Sequence, residues 1–341
     1  MNKKTVFILM MMLLALASVS MAGSERRVGS AGAQELQIPI GSRGTAMGGA
    51  ISADAMGTEA IFYNPAGVAF TRGTEVMFSH LKYFADMDLN YFALTKSFED
   101  FGAIGISAKI LSVGDIIKTT SEMSGPEGTG ETFNPTFAVI GLTYSRIMTD
   151  RVTFGITGSL ISESVDRASA TGMALDFGIN YDTKWRGLRI GIVAKNVGPE
   201  MRFAGAGFSY DGRTSNLNPV SPDKTFQAQS AKFELPSYIQ FGAAMDFYNI
   251  ERNRATAYGS FQSNNFSKDL WRFGAEYSFD EKYFLRAGYS IDDRQVDYLY
   301  GMAFGAGVVF NFGTTDLTLE YSWNETQFFD NIQYFTGKVN F

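Results

Sequence analysis

The chain has 341 residues and a formal net charge of −6 at neutral pH, a balance that argues against a nucleic-acid partner. It contains no cysteine, which excludes disulfides, thiolate metal sites, a cysteine nucleophile and lipid attachment at an N-terminal cysteine. Aromatic residues make up 14%, beside 36 glycines and only 8 prolines, and this suits a large antiparallel sheet with aromatic belts better than a helical enzyme.

Residues 1–22 read as a secretory signal peptide. Lys3 and Lys4 precede the apolar run Val6 to Ala17, and Ser20-Met21-Ala22 is a small-x-small cleavage site before Gly23. The run falls short of the about 20 apolar residues that a spanning helix needs, and no other segment approaches that length.

Residues 23–72 show no period-two pattern. Ile38 to Ala50 is rich in glycine and small residues that allow close backbone approach. Gly57 to Gly67 follows, a predicted short helix ending in a turn at Asn64-Pro65. The segment is read as a plug threaded into the periplasmic mouth of the structure that follows it.

From residue 73 to the end the sequence alternates. In Trp271 to Phe279 the odd positions are apolar or aromatic and the even ones are Arg272, Gly274, Glu276 and Ser278, which is the period of a strand with two different faces. About 9 to 11 residues of tilted strand cross a bilayer core. Fourteen such segments are predicted, at 73–83, 87–97, 101–112, 136–147, 151–163, 172–182, 187–196, 236–247, 253–263, 269–279, 282–291, 300–312, 315–324 and 333–341. Some are blurred: Tyr91 and Phe92 put aromatic residues on both faces.

Connection lengths sort by parity. Those after even-numbered segments are short, such as Met148-Thr149-Asp150 and Gly313-Thr314, whereas the long ones, Val113 to Pro135, Ser164 to Thr171, Val197 to Leu235 and Asp292 to Leu299, all follow odd-numbered segments. Outer-membrane barrels show this asymmetry, and a soluble β-sandwich has no reason to. The expected fold is therefore all-β, a closed antiparallel transmembrane barrel of about 14 strands over residues 73–341, in the bacterial outer membrane with outer-membrane lipid around it and both termini periplasmic. Closure leaves no unpaired edge in hydrocarbon. It also places Asp176, Asn180, Lys195, Asp246, Arg272, Glu276 and Glu320 on the wet inner face. A lumen of this strand number is too wide to fill with side chains alone, which assigns the blocking role to the N-terminal segment.

At that segment the chain resembles the PorV/PorQ family of outer-membrane proteins, itself similar to the FadL-type transporters of hydrophobic compounds. The matching residues are the Gly-x-Arg-Gly-x-x-Met-Gly-Gly-Ala run at Gly41 to Ala50, Tyr63 to Gly67, Ser79-His80-Leu81, and Lys195 to Gly198. The resemblance implies a fourteen-stranded barrel with an N-terminal plug and two possible tasks. The first is assistance to type IX secretion or surface assembly, with secreted proteins or secretion-system components as partners. The alternative is a channel for hydrophobic small molecules. The residues assigned to plugging and gating are Arg43, Gly48, Gly49, Asn64, Pro65, Ala66 and Gly67, and the candidate partner-binding loop carries Phe203, Phe208, Tyr210 and Phe226.

Catalytic, cofactor and metal sites are not expected. His80 is the only histidine and therefore the only candidate base for a lipase-type barrel, and it is read as a structural residue near the plug or rim. Glu163, Asp166, Asp292 and Asp293 lack the spacing of a calcium loop and are read as solvated loop charges.

Overall fold

A computed structural model describes residues 27–212, 224–292, 299–327 and 329–341. The expected signal peptide lies outside the described residues. Fourteen strands form one closed antiparallel barrel: β1 Thr74–Lys82, β2 Asp88–Phe98, β3 Gly102–Ser112, β4 Thr136–Ile147, β5 Val152–Val165, β6 Ala168–Asp182, β7 Arg189–Val197, β8 Tyr238–Ile250, β9 Asn253–Asn264, β10 Leu270–Phe279, β11 Tyr283–Asp292, β12 Tyr300–Phe312, β13 Thr315–Thr326 and β14 Ile332–Asn340. Each strand pairs with its neighbours in sequence, and β1 pairs with β14 to close the wall, Val76 opposite Val339. No described helix is long and apolar enough to cross a membrane.

The alternation does what the sequence implied. In β10 Phe273 is 50% exposed on the outer face while Glu276 is 3% exposed inside. Asp176, Asn180, Lys195 and Glu320 are likewise buried in the lumen, and Arg272 and Asp246 are half-buried there. The blurred strands have an equally simple cause. Phe92 faces out, but Tyr91, Met77, Leu81 and Leu89 face in and pack with the N-terminal segment, so β1 and β2 are apolar on both sides.

The turns at one end are tight. Asp280 and Glu281 both take left-handed conformations (φ 56° and 52°), as a two-residue type I′ hairpin requires. At the opposite end the connection after β3 carries a small hairpin, Ile116–Ile117 with Thr132–Phe133, and the one after β7 carries Ser209–Gly212 with Lys224–Gln227.

Two expectations need correction. The loop expected over Ser164 to Thr171 is almost all strand: Ser164 pairs with Ser169 and Val165 with Ala168, leaving Asp166-Arg167 as the turn. Ser162, Ser164, Ser169 and Thr171 interrupt the apolar outer face there, so a ladder that projects beyond the aromatic belt looks like a loop in sequence. The described part of the N-terminal segment is also not confined to one mouth of the barrel. Phe341 exchanges hydrogen bonds with Thr74 at the tight-turn end, whereas Arg27, the first described residue, sits at the long-loop end against Glu234 and Phe266. The N-terminal segment runs the length of the lumen instead of entering and leaving by one mouth.

Candidate functional site

The N-terminal segment is held by fitted backbone and by charge. It begins as a strap at the long-loop end, where the Gly29 and Gly32 amides donate to Phe266 O and Glu234 O, both at 3.1 Å. It then descends through two short helices, α1 Ser42–Ala46 and α2 Gly57–Tyr63, and a 3-10 turn at Pro65–Phe70 before entering β1. Gly41, Gly48 and Gly49 bracket α1 with φ of 71°, 62° and 79°, values that favour glycine and explain the glycine-rich motif. The α1 helix has no cap of its own and is satisfied by the wall: the Ser42 amide donates to Thr336 Oγ1 at 2.9 Å, and Thr45 Oγ1 meets Ser322 Oγ at 2.7 Å.

Asn64 shows why the Asn-Pro pair stands where it does. Its side-chain oxygen accepts from the Ala66 amide at 3.1 Å and its amide donates to Ser52 O at 2.7 Å and Asn180 Oδ1 at 2.6 Å. Pro65 opens the following turn at a position that has no use for an N–H. Wall glycines receive these turns. A Cβ on Gly155 would overlap Pro65, on Gly178 Asn64, on Gly191 Ser52, and on Gly288 Met47.

Six buried or nearly buried charges close a ring around the segment. Arg43 lies 3.3 Å from Glu276, which is 2.7 Å from Arg286, and Arg286 is 2.9 Å from Glu320. Glu320 is 3.0 Å from Lys338, Lys338 is 3.2 Å from Glu59, and Glu59 returns to Arg43 at 3.7 Å. Signs alternate throughout. Arg43 also reaches Asp54 at 3.0 Å, and Asp54 is bound by Arg189 at 2.9 Å. Three cations meet three carboxylates, so desolvation is offset within the ring, and deleting any one member leaves a buried charge uncompensated. The Tyr63 hydroxyl donates to Ile40 O at 2.9 Å, and burial lifts it well above the usual tyrosine range.

Between the strap and the lower plug lies a cavity of 840 Å³. Its lining includes the apolar Ile38, Phe62, Phe84, Met87, Leu111 and Phe137 and the polar Glu35, Glu163, Gln240, Gln262, Arg272, Ser290 and Asn324. Aromatic residues from two connections and one strand end meet at its rim: Phe84 stacks on Phe329 with ring centres 4.3 Å apart, and the hydroxyls of Tyr83 and of Tyr300, the first residue of β12, are 3.0 Å apart. Phe62 lies beneath two ammonium groups, Lys195 at 4.1 Å and Lys109 at 4.8 Å from its ring centre.

The expected site residues are thus divided. Gly48 and Gly49 line the cavity, Arg43 sits in the charge ring, and Asn64 to Gly67 seat on β5 and β6. The four loop aromatics do not form one patch. Phe203 packs on Phe233 in a small core with Met201 and Leu235, and Tyr210 stacks on Phe226 along the outer hairpin. Phe208 is half-buried beside that hairpin, its carbonyl accepting from Ala228, and none of the four lines the cavity. His80 faces outward at the rim, 2.9 Å from Asn90 and 3.8 Å from Asp88, with no hydrogen bond or ion pair to the plug. Glu163 proves to be a lumen residue instead of a solvated loop charge, while Asp166 and Asp292 pair with Lys118 and Lys268. Asp293 lies outside the described residues. No group of three potential metal ligands occurs among the described residues. The cavity wall itself was missed, although Leu111 and Phe137, apolar residues at inward parity, were its signal in the sequence.

No protein-family model and no curated protein matches the chain. Solved structures do. The Pseudomonas putida toluene transporter TodX matches with a TM-score of 0.57 at 14% identity, over 88% of this chain and 96% of that one. A Pseudomonas aeruginosa FadL homologue matches at 0.51 and 14%, over 89% and 98%, and the CymD monoaromatic hydrocarbon channel at 0.51 and 11%, over 88% and 96%. At these identities the likeness is one of fold. The chain is a closed fourteen-stranded barrel with the same fold as these transport proteins.

Proposed function

We propose that this protein is a non-enzymatic outer-membrane channel for hydrophobic small molecules, with the N-terminal segment as its plug. The observation that carries the reading is the cavity: 840 Å³ inside the lumen, lined by aromatic and aliphatic residues together with a few polar ones, with Phe84 at its rim stacked on Phe329. Concave, largely apolar sites with a few placed polar groups are where small molecules bind. The shared fold with hydrocarbon channels supports it. Solute would enter from the long-loop end, taken as extracellular, and rest above the charge ring, with no covalent step required. The secretion reading, in which the barrel docks exported proteins as a PorV/PorQ-type component, has less support, because the loop aromatics that would dock a partner are spent on packing within their own loop or are split between separate groups.

The test is uptake of radiolabelled toluene by vesicles containing the purified protein. Saturable uptake above that of protein-free vesicles is expected. Uptake no different from protein-free vesicles, together with co-purification of secreted proteins from gently solubilised membranes, would overturn the channel in favour of secretion.

A further inference from the structure

Among the described residues, every other almost fully buried acid of the lumen wall or lower plug is in an ion pair; Glu35 and Glu163 are not. Glu35 belongs to the strap and Glu163 to β5, each is 5% exposed, and both line the cavity. No ion pair among the described residues reaches either one. No N–H or O–H donor reaches Glu35 Oε1, and what faces Glu35 is the Glu163 carboxyl, toward which the Ala33 amide is also directed. Two carboxyl groups in that relation hydrogen-bond only if one of them holds a proton.

The surrounding charges allow one carboxylate and not two. From β3, Lys109 contributes an ammonium that donates to Ile38 O at 2.7 Å and lies over Phe62. Behind it, Lys195 of β7 is matched by Asp176 of β6 at 3.5 Å. Elsewhere in the cavity lining Lys268 is taken by Asp292, and Arg272 donates to Gln262. One ammonium without an ion-pair partner of its own, that of Lys109, therefore faces two acids. Burial lifts the Glu35 carboxyl above the usual carboxylate range, and Lys109 and the Glu163 hydrogen bond only partly offset this.

We propose that Glu35 and Glu163 form a proton-sharing latch that seats the strap Ala33 to Ile38 over the cavity and releases it when the shared proton is lost. The strap has three other fastenings: the Gly29 and Gly32 amides donate to backbone carbonyls, the Arg27–Glu234 pair is exposed, and Lys109 donates to Ile38 O. The sign follows from linkage. An acid whose pKa is raised in the seated state contributes its full stabilisation below its free value and loses it as pH rises through the seated value. The latch is closed in acid and opens toward alkali. Its consequence for solute access rests on the channel reading, but its existence does not.

The experiment is hydrogen exchange by mass spectrometry on the full-length protein in detergent, following the Leu36 and Ile38 amides, which donate to Ala33 O and Glu35 O. After correction for intrinsic exchange, protection in the wild type should fall by about tenfold per pH unit between the free and the seated values, the slope for one linked proton, and level off above the seated value. Glu163→Gln and Glu35→Gln each remove one acid and supply a permanent donor, and each should keep the strap protected with a flat profile. Glu234→Gln weakens the exposed fastening and should lower protection at every pH without changing the slope. A flat wild-type profile, or an unchanged slope in both glutamine variants, overturns the latch. Absence of solute uptake with the pH slope intact overturns the channel and leaves the latch standing.

Discussion

Arg43 of the plug and Glu276 of β10 meet inside the lumen with the guanidinium Nε 3.3 Å from the carboxylate, and this contact completes the six-charge ring. Removing one member of a buried pair costs about 3 to 5 kcal/mol, because the partner stays behind uncompensated. Arg43→Ala is therefore expected to loosen the plug by that order while the barrel survives, since Glu276 keeps Arg286 and Glu320 keeps Lys338. Planar-bilayer recordings should show larger or noisier conductance, with the unheated protein still migrating as a folded barrel. A variant as tight as the wild type would remove the ring from any role in holding the plug.

Gly155 and Gly178 are where the wall yields to the Asn64-Pro65 turn, and a side chain on either would overlap that turn's backbone or side chain. Overpacking a fitted contact costs about 1 to 3 kcal/mol. Gly178→Val is expected to unseat residues 64–67 and expose them to protease added to the purified protein, whereas Gly259→Val, at an outward-facing glycine with room around it, should not. Equal resistance in the two variants would contradict the seat.

These glycines show what sequence could and could not reveal. Strand number, strand limits to within a few residues and the facing of each strand were legible, because lipid and lumen impose opposite chemistries at period two. Glycine at inward parity reads only as "not lipid-facing", and its meaning depends on which turn of a segment more than 80 residues away in sequence touches it, as Pro65 touches Gly155. The charge ring was half legible. Glu276 and Glu320 were seen to face inward, but pairing them with Arg43, Arg286 and Lys338 needed the barrel to close. Conversely, the blur at Tyr91 and Phe92, which looked like a weak strand, records a wall apolar on both faces because the plug core lies behind it.

Phe273 tests the outer face. It stands mid-strand on β10, half exposed, opposite Gly259 and Tyr289. An arginine at mid-depth on the lipid side costs about 2 to 4 kcal/mol. Phe273→Arg should lower the denaturant midpoint of refolding into lipid vesicles by a corresponding amount, and Phe273→Leu should not. If arginine were tolerated as well as leucine, this face would not lie in hydrocarbon.

Ala303 tests the cavity. It faces inward from β12, is 2% exposed, and lines the chamber beside Asn324, with which it pairs across the strands. Its methyl group is the smallest apolar surface on that wall, so Ala303→Trp should push an indole into the chamber and fill space that a solute would use. The barrel ladder is untouched by a longer inward side chain, and the unheated variant should still migrate as a folded barrel. Uptake of labelled toluene into vesicles is then expected to fall to near the protein-free level, while the smaller change Ala303→Ser leaves it close to wild type. Wild-type uptake by a folded Ala303→Trp variant would mean that solute does not pass through this cavity, and the channel reading would lose the observation on which it stands.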